Sequence, residues 1–249
     1  MGLFDKLSKK KKPVLFGVES YSNPQTEIAK IYKNYDNKLF KEYGKCKPFD
    51  KTIKILIFSD THSKLAYDID YDLKAIDKYG YDVCLLLGDI SCDDIRIILE
   101  HVDKNKVYGI LGNHDYLDNL EKFNIPNING QIININGVDI LGIEGCIKYK
   151  SVQPGFTLEE GFKFIKQLPP CDILITHSAP FGAVGLESNS VHIGAPYINK
   201  YIFEKKCPIV ISGHNHIDKK HKYLNGTLGL SVYKQRIIQF NKGSYENLF

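Results

Sequence analysis

Tryptophan is missing from the 249 residues, and no two of the six cysteines have C-x-x-C spacing. The first absence, beside many Ile, Lys, Asn and Tyr residues, points to an AT-rich coding sequence and is silent about activity. The second has more content. Cys46, Cys84, Cys92, Cys146, Cys171 and Cys207 are too scattered for a disulfide framework or a zinc site, so a reducing compartment is expected. Cys84 lies inside an apolar run and reads as a small core residue. No apolar run approaches the ~18 residues of a membrane span. The N-terminus has lysines but no apolar core of a secretory leader, so a cytoplasmic location is the expectation. Strong charge of one sign is lacking too. The formal net charge is +4, and without Lys6 and Lys9–Lys12 the balance is about −1. A body so close to neutral is no tight binder of duplex nucleic acid, although cleavage of short single strands is not excluded.

What is present is an ordinary globular composition, 43% hydrophobic and 25% charged, in a chain long enough to bury a full core. Two parts are expected: residues 1–50, a basic tail plus an amphipathic helix, and a main body over residues 51–249. Met1–Lys12 sets Leu3, Phe4 and Leu7 beside lysines and reads as a solvated start, with a weak hold on anionic membrane or a partner as the alternative. Lys6 stands where a myristoylation motif needs Ser or Thr. From Thr26 to Tyr43, apolar residues recur at helical spacing, with Gly44 as the stop. That helix carries no cluster of ligand-type residues, so it is expected to dock on the body rather than act as a lid.

From Lys51 onward, strand-like runs alternate with helical ones. Strands are expected at Ile53–Phe58, Val83–Leu87, Val107–Leu111, Ile173–Thr176, Ile209–Ser212 and Arg236–Phe240. Helices are expected at Leu73–Tyr79, Ile95–Val102, Tyr197–Glu204 and from a Thr157/Glu160 capping box to Gln167. Asn136-Gly137 and Asn225-Gly226 mark hairpins. This rhythm predicts an α/β sheet protein with antiparallel pieces in its second half.

Five polar clusters sit just after these strands: Asp60-Thr61-His62, Gly88-Asp89, Gly112-Asn113-His114-Asp115, Thr176-His177 and Gly213-His214-Asn215-His216. Open α/β sheets place ligands beyond the carboxyl ends of their strands, where all five fall. Five of the eight histidines lie in these clusters. Mixed imidazole and carboxylate donors suit Mn, Fe, Zn or Ni rather than calcium. Asp60/His62 and His214/His216 are alternate residues that can face one point. The donors outnumber the needs of one four-coordinate ion, which implies two ions about 3.5–4 Å apart. Asp89 is the candidate bridging carboxylate.

The order D-x-H, G-D, G-N-H-D, T-H, G-H-x-H resembles the calcineurin-like metallophosphoesterases over about residues 53–240. The resemblance implies a four-layer α/β/β/α sandwich with a dinuclear centre between the sheets. It implies one metal on Asp60, His62, Asp89 and His216, and a second on Asp89, Asn113, His177 and His214. A metal-bridging hydroxide would attack phosphorus. His114 would stabilise the phosphoryl oxygens or protonate the leaving group, with Asp115 orienting its imidazole. Manganese is the first expectation for both ions, with iron, zinc or nickel as alternatives.

Protein Ser/Thr phosphatases carry G-D-x-x-D-R-G and G-N-H-E, which this chain does not. The resemblance is instead to small, compact phosphodiesterases and phosphatases. The expected activity is hydrolysis of a small phosphodiester, nucleotide-like or otherwise, ahead of phosphomonoester hydrolysis at the same site. A nuclease or a non-catalytic protein-interaction scaffold are rival readings, but a scaffold has no need of His114 or of the full ligand set. Asn113, His114 and His192 are candidate substrate contacts. Ser178–Ser190, flanked by Phe181, His192 and Tyr197, and Gly142–Gly155 are candidate walls of the site.

Overall fold

The computed structural model describes residues 24–183, 192–242 and 244–249. The Met1–Lys12 stretch and the later part of the Ser178–Ser190 loop lie outside the described residues. The elements run α1 (Pro24–Tyr43), β1 (Thr52–Ser59), α2 (Lys74–Tyr79), β2 (Val83–Leu86), α3 (Cys92–His101), β3 (Val107–Gly109), β4 (Ile132–Ile135) and β5 (Val138–Ile143). They continue with β6 (Cys146–Ile147), β7 (Gly155–Phe156), α4 (Leu158–Gln167), β8 (Ile173–Thr176), α5 (Pro196–Glu204) and β9 (Ile209–Ser212). The chain closes with β10 (Lys219–Lys222), β11 (Leu228–Ser231), β12 (Lys234–Asn241) and β13 (Ser244–Asn247).

Two sheets stack face to face. One has the order β13-β12-β1-β2-β3, the other β10-β11-β9-β8-β5-β4. Strand alternation assigns the layers. Ile53, Ile55 and Ile57 of β1 point into the core between the sheets, meeting Ile140, Ile173, Ile175 and Ile211 of the second sheet. Leu56 and Phe58, one residue out of phase, point the other way and pack with Ile76 of α2 and Ile95 and Ile98 of α3. The outer face of the second sheet, through Leu141, Leu174 and Val210, is covered by α1, α4 and α5. The result is the expected α/β/β/α sandwich.

Several boundaries shift from those expected. Helix α3 begins at Cys92 because Ser91 Oγ accepts from Asp94 N at 3.2 Å and caps it. Strand β3 ends at Gly109, not Leu111, since pairing with β2 stops there. The Asn225-Gly226 hairpin exists, but its strands are β10 and β11, with 223–227 as the connection. The Thr157/Glu160 box, the Asn136-Gly137 turn and the stop at Gly44, whose N–H donates to Phe40 O at 2.9 Å, are as expected. All six cysteines are free thiols, and Cys84 is wholly buried. Among the described residues no helix is long and apolar enough to cross a membrane.

Candidate metal centre

Strands β1, β2, β8 and β9 run parallel within their sheets, so the loops that leave them gather at one end of the sandwich. Small residues let these loops close on one another. A Cβ on Gly112 would stand 2.1 Å from Asp89 Oδ1, and one on Gly213 would stand 2.1 Å from Ser59 Oγ. Only glycine fits at either place. Asp60, His62, Asp89, His214 and His216 all adopt the left-handed backbone, with φ between 47° and 69°. Each such residue costs on the order of 1 kcal/mol or more, and clusters of them mark functional sites.

The hydrogen bonds decide which atoms are left to face the centre. Asp60 Oδ2 accepts from Ser59 Oγ at 2.5 Å and from His214 N at 2.8 Å. Its Oδ1 is buried without a hydrogen-bond partner and stands 3.4 Å from His216 Nε2. Asp89 divides its oxygens in the same way. Oδ1 accepts from His114 N at 2.8 Å, while Oδ2 lies 3.9 Å from His62 Nε2 and 3.5 Å from His177 Nε2. One carboxylate oxygen thus stands near imidazoles from two different strand-end clusters.

The imidazoles are aimed too. His177 Nδ1 donates to Leu87 O at 2.8 Å, which turns Nε2 toward Asn113 Oδ1 at 3.0 Å. His62 Nε2 and His216 Nε2 stand 3.0 Å apart, and the His177 and His214 rings are 5.0 Å apart. Asp60, His62 and His216 form one group able to hold a metal ion, and Asp89, His177 and His214 form another. Both pair carboxylate oxygen with imidazole nitrogen. The orphaned Asp60 Oδ1, and Asp89 Oδ2 with an imidazole from each group nearby, fit a pair of divalent cations.

Electrostatics agree with a cation-seeking site. Burial alone would raise the Asp89 pKa, but His177 and His114 hold it well below the carboxylate range. Burial would lower the His177 pKa, yet Asp89 and Asp60 and the Leu87 carbonyl push it up to about 9.

The structure also brings His114 and His192 to this cluster. The exposed His114 ring lies 5.8 Å from that of His62, and the His192 ring lies 4.7 Å from that of His214. Asp115 departs from its expected role. Its Oδ2 accepts from Gly112 N at 2.7 Å and Asp89 N at 2.8 Å, and its Oδ1 from Ile90 N at 3.1 Å and Asn119 Nδ2 at 3.2 Å. With four donors on two oxygens, it braces the Asp89 loop against the Gly112 loop rather than orienting the His114 imidazole. Phe181 and Tyr197 are buried in the α1/α4/α5 layer and are packing residues.

Two residues at the site were not singled out by sequence. Tyr149 Oη accepts from Asn113 Nδ2 at 3.0 Å, so it holds the amide with Oδ1 toward His177. Tyr233 stacks on His216 at 5.1 Å between ring centroids. Both follow short strands, β6 and β11, but neither is a carboxylate, amide or imidazole, the ligand types that revealed the others.

Residues 53–218 match the family described as calcineurin-like phosphoesterase. The chain belongs to that family. Its fold is similar to that of a Thermus thermophilus protein, TT1561, at 14% identity and a TM-score of 0.57, covering 79% of this chain and 98% of that one. A 5'-nucleotidase from Candida albicans matches at 11% identity and a TM-score of 0.49, covering 78% of this chain and 47% of that one. No curated protein matches the sequence. Family membership makes this chain a phosphoric ester hydrolase by type and divalent metals its expected cofactors.

Proposed function

We propose that this family member hydrolyses a small phosphodiester at a centre of two divalent ions, manganese first among them. The observation that supports the reading is Asp89 Oδ2, which lies 3.9 Å from His62 Nε2 and 3.5 Å from His177 Nε2, one imidazole from each ligand group. Asp60, His62 and His216 would complete one ion's ligands, and Asn113, His177 and His214 the other's. Ions bound there would offset phosphate charge and lower the pKa of water to near neutrality.

The chain's own groups do the rest. Asn113 and His192 flank the second ligand group and can donate to non-bridging phosphate oxygens. His114, exposed beside His62, is free to approach the leaving oxygen and deliver a proton to it. These substrate-facing groups are an amide and imidazoles, with no permanent cation among them. The resemblance to small, compact phosphodiesterases favours the diester over the monoester.

The test is turnover of bis-p-nitrophenyl phosphate against p-nitrophenyl phosphate by metal-stripped protein reloaded with manganese, zinc or nickel. Diester turnover that is lost in Asp89→Asn and reduced in His114→Ala is expected. Turnover confined to the monoester would sink the diester reading. Silence from a protein shown to hold two ions would return the scaffold reading.

A further inference from the structure

Nine large apolar side chains are well exposed among the described residues, and seven of them lie on four loops around the metal centre. Tyr67 and Ile69 follow the Asp60/His62 cluster, Tyr116 and Leu117 follow His114, Tyr149 and Val152 lie beyond Gly145, and Ile217 follows His216. Ile69 is 96% exposed and Val152 77%. Contacts join the four loops around one mouth. The His62 and His114 rings approach to 5.8 Å, and Tyr149 bonds Asn113. Tyr233 stacks on His216, its N–H donates to Asp218 Oδ1 at 3.1 Å, and the adjacent Lys234 ion-pairs with Asp68 at 2.7 Å.

Exposed apolar side chains gathered on the loops around one cleft, unlike ones scattered singly, mark an interaction surface. Here the acids that would repel a headgroup layer are already engaged. Asp68 and Asp70 pair with Lys234, Asp118 with Lys122, and Asp218 with Arg236. Two rim tyrosines carry lysine ammonium groups over their rings, Lys122 at 5.6 Å from the Tyr116 centroid and Lys150 at 5.1 Å from that of Tyr149. Tyrosine with a snorkelling lysine is the chemistry of a membrane–water boundary.

We propose that the rim seats on a phospholipid surface and that the substrate is a phosphoester with a long apolar substituent, reached from that surface. This rests on the phosphoesterase reading of the metal centre. Apolar side chains dip among the lipid chains, the lysines stay at headgroup level, and the cleft opens directly onto the phosphate layer.

The test compares the full-length manganese-loaded chain with the double variant Ile69→Glu, Leu117→Glu. Both sites are exposed, so folding should be retained, and unchanged turnover of soluble bis-p-nitrophenyl phosphate checks this. The wild-type chain is expected to sediment with phosphatidylcholine vesicles, and the variant to bind at least tenfold more weakly. Wild-type hydrolysis of short-chain phosphatidylcholine is expected to rise as micelles form, while the variant's does not.

Wild-type protein left in the supernatant would overturn the proposal. So would a variant that sediments as well as wild type, which would assign the hold to the lysine-rich N-terminus. Vesicle-free self-association that the variant abolishes would give the rim to a second copy of the chain. If neither protein cleaves the soluble diester, the phosphoesterase reading fails, and sedimentation still decides the seating of the rim.

Discussion

At the residue scale the site depends on which oxygen of each carboxylate is already in use. Tyr149 extends that logic to an amide, fixing Asn113 by its Nδ2. Tyr149→Phe removes the acceptor and leaves the ring. Loss of one such bond is worth about 1 kcal/mol, so kcat/KM for the diester should fall roughly fivefold. Metal content measured by mass spectrometry should not change, because Asn113 Oδ1 remains. Asp115 makes the opposite case. Were it to orient His114, Asp115→Ala would mimic His114→Ala at full stability. Its four accepted hydrogen bonds predict instead a loss of a few kcal/mol, seen as a lowered unfolding midpoint in urea. The ligand residues were legible in the sequence because each follows an apolar run that ends in glycine or a small polar residue. Asp115 was misread and Tyr149 passed over for one reason. Their roles are set by loops from distant parts of the chain, and no local spacing encodes that meeting.

At the scale of elements, the outer layer over the second sheet shows how tightly position is prescribed. Gly161 sits within α4, where a Cβ would come 2.4 Å from the Tyr197 ring of α5. Alanine favours a helix over glycine by up to about 1 kcal/mol, whereas forcing a methyl group into packed space costs about 1–3 kcal/mol. The second effect wins, so Gly161→Ala should lower the melting temperature. A rise would show that the two helices can part at no cost. The helices and hairpins could be read in advance because caps and Asn-Gly turns act over three or four residues. Strand β12 was foreseen as a strand, but its place beside β1 in the first sheet, away from neighbouring β11 in the second, was not. Sheet membership comes from burial on both faces, a property of the assembled layers.

For the whole molecule, α1 ties the N-terminal segment to the body through a group that senses pH. Tyr35 Oη donates to Pro196 O at 3.0 Å, and Tyr32 Oη lies 2.9 Å from His221 Nε2. Next to Tyr35, Asp36 is buried with one oxygen unpartnered, and burial pushes its pKa up to about 6 despite a bond from the Leu224 backbone. The unfolded chain ionises this carboxyl near pH 4, earlier than the folded one. Folding stability from this group is therefore present at low pH and declines as pH rises from about 4 to about 6, then levels off. The decline is at most about 3 kcal/mol. In thermal melts across that window, Asp36→Asn should lack the decline and gain on the wild type as pH rises. Parallel curves for the two proteins would remove Asp36 as its source.

The pairing of β1 with β12 has a consequence in time. Thr52 pairs with Asn241 and Ser59 with Lys234, so the strand at the middle of the first sheet gains its second neighbour only near the end of the chain. On the ribosome, at about 5–20 residues per second, β1 waits many seconds with one edge open and its isoleucines unpaired. Such long-range closure makes folding slow and leaves a sticky intermediate in the interval. Yield in the cell should therefore follow the supply of chaperones that shield that edge more closely than it follows the stability of the finished sandwich.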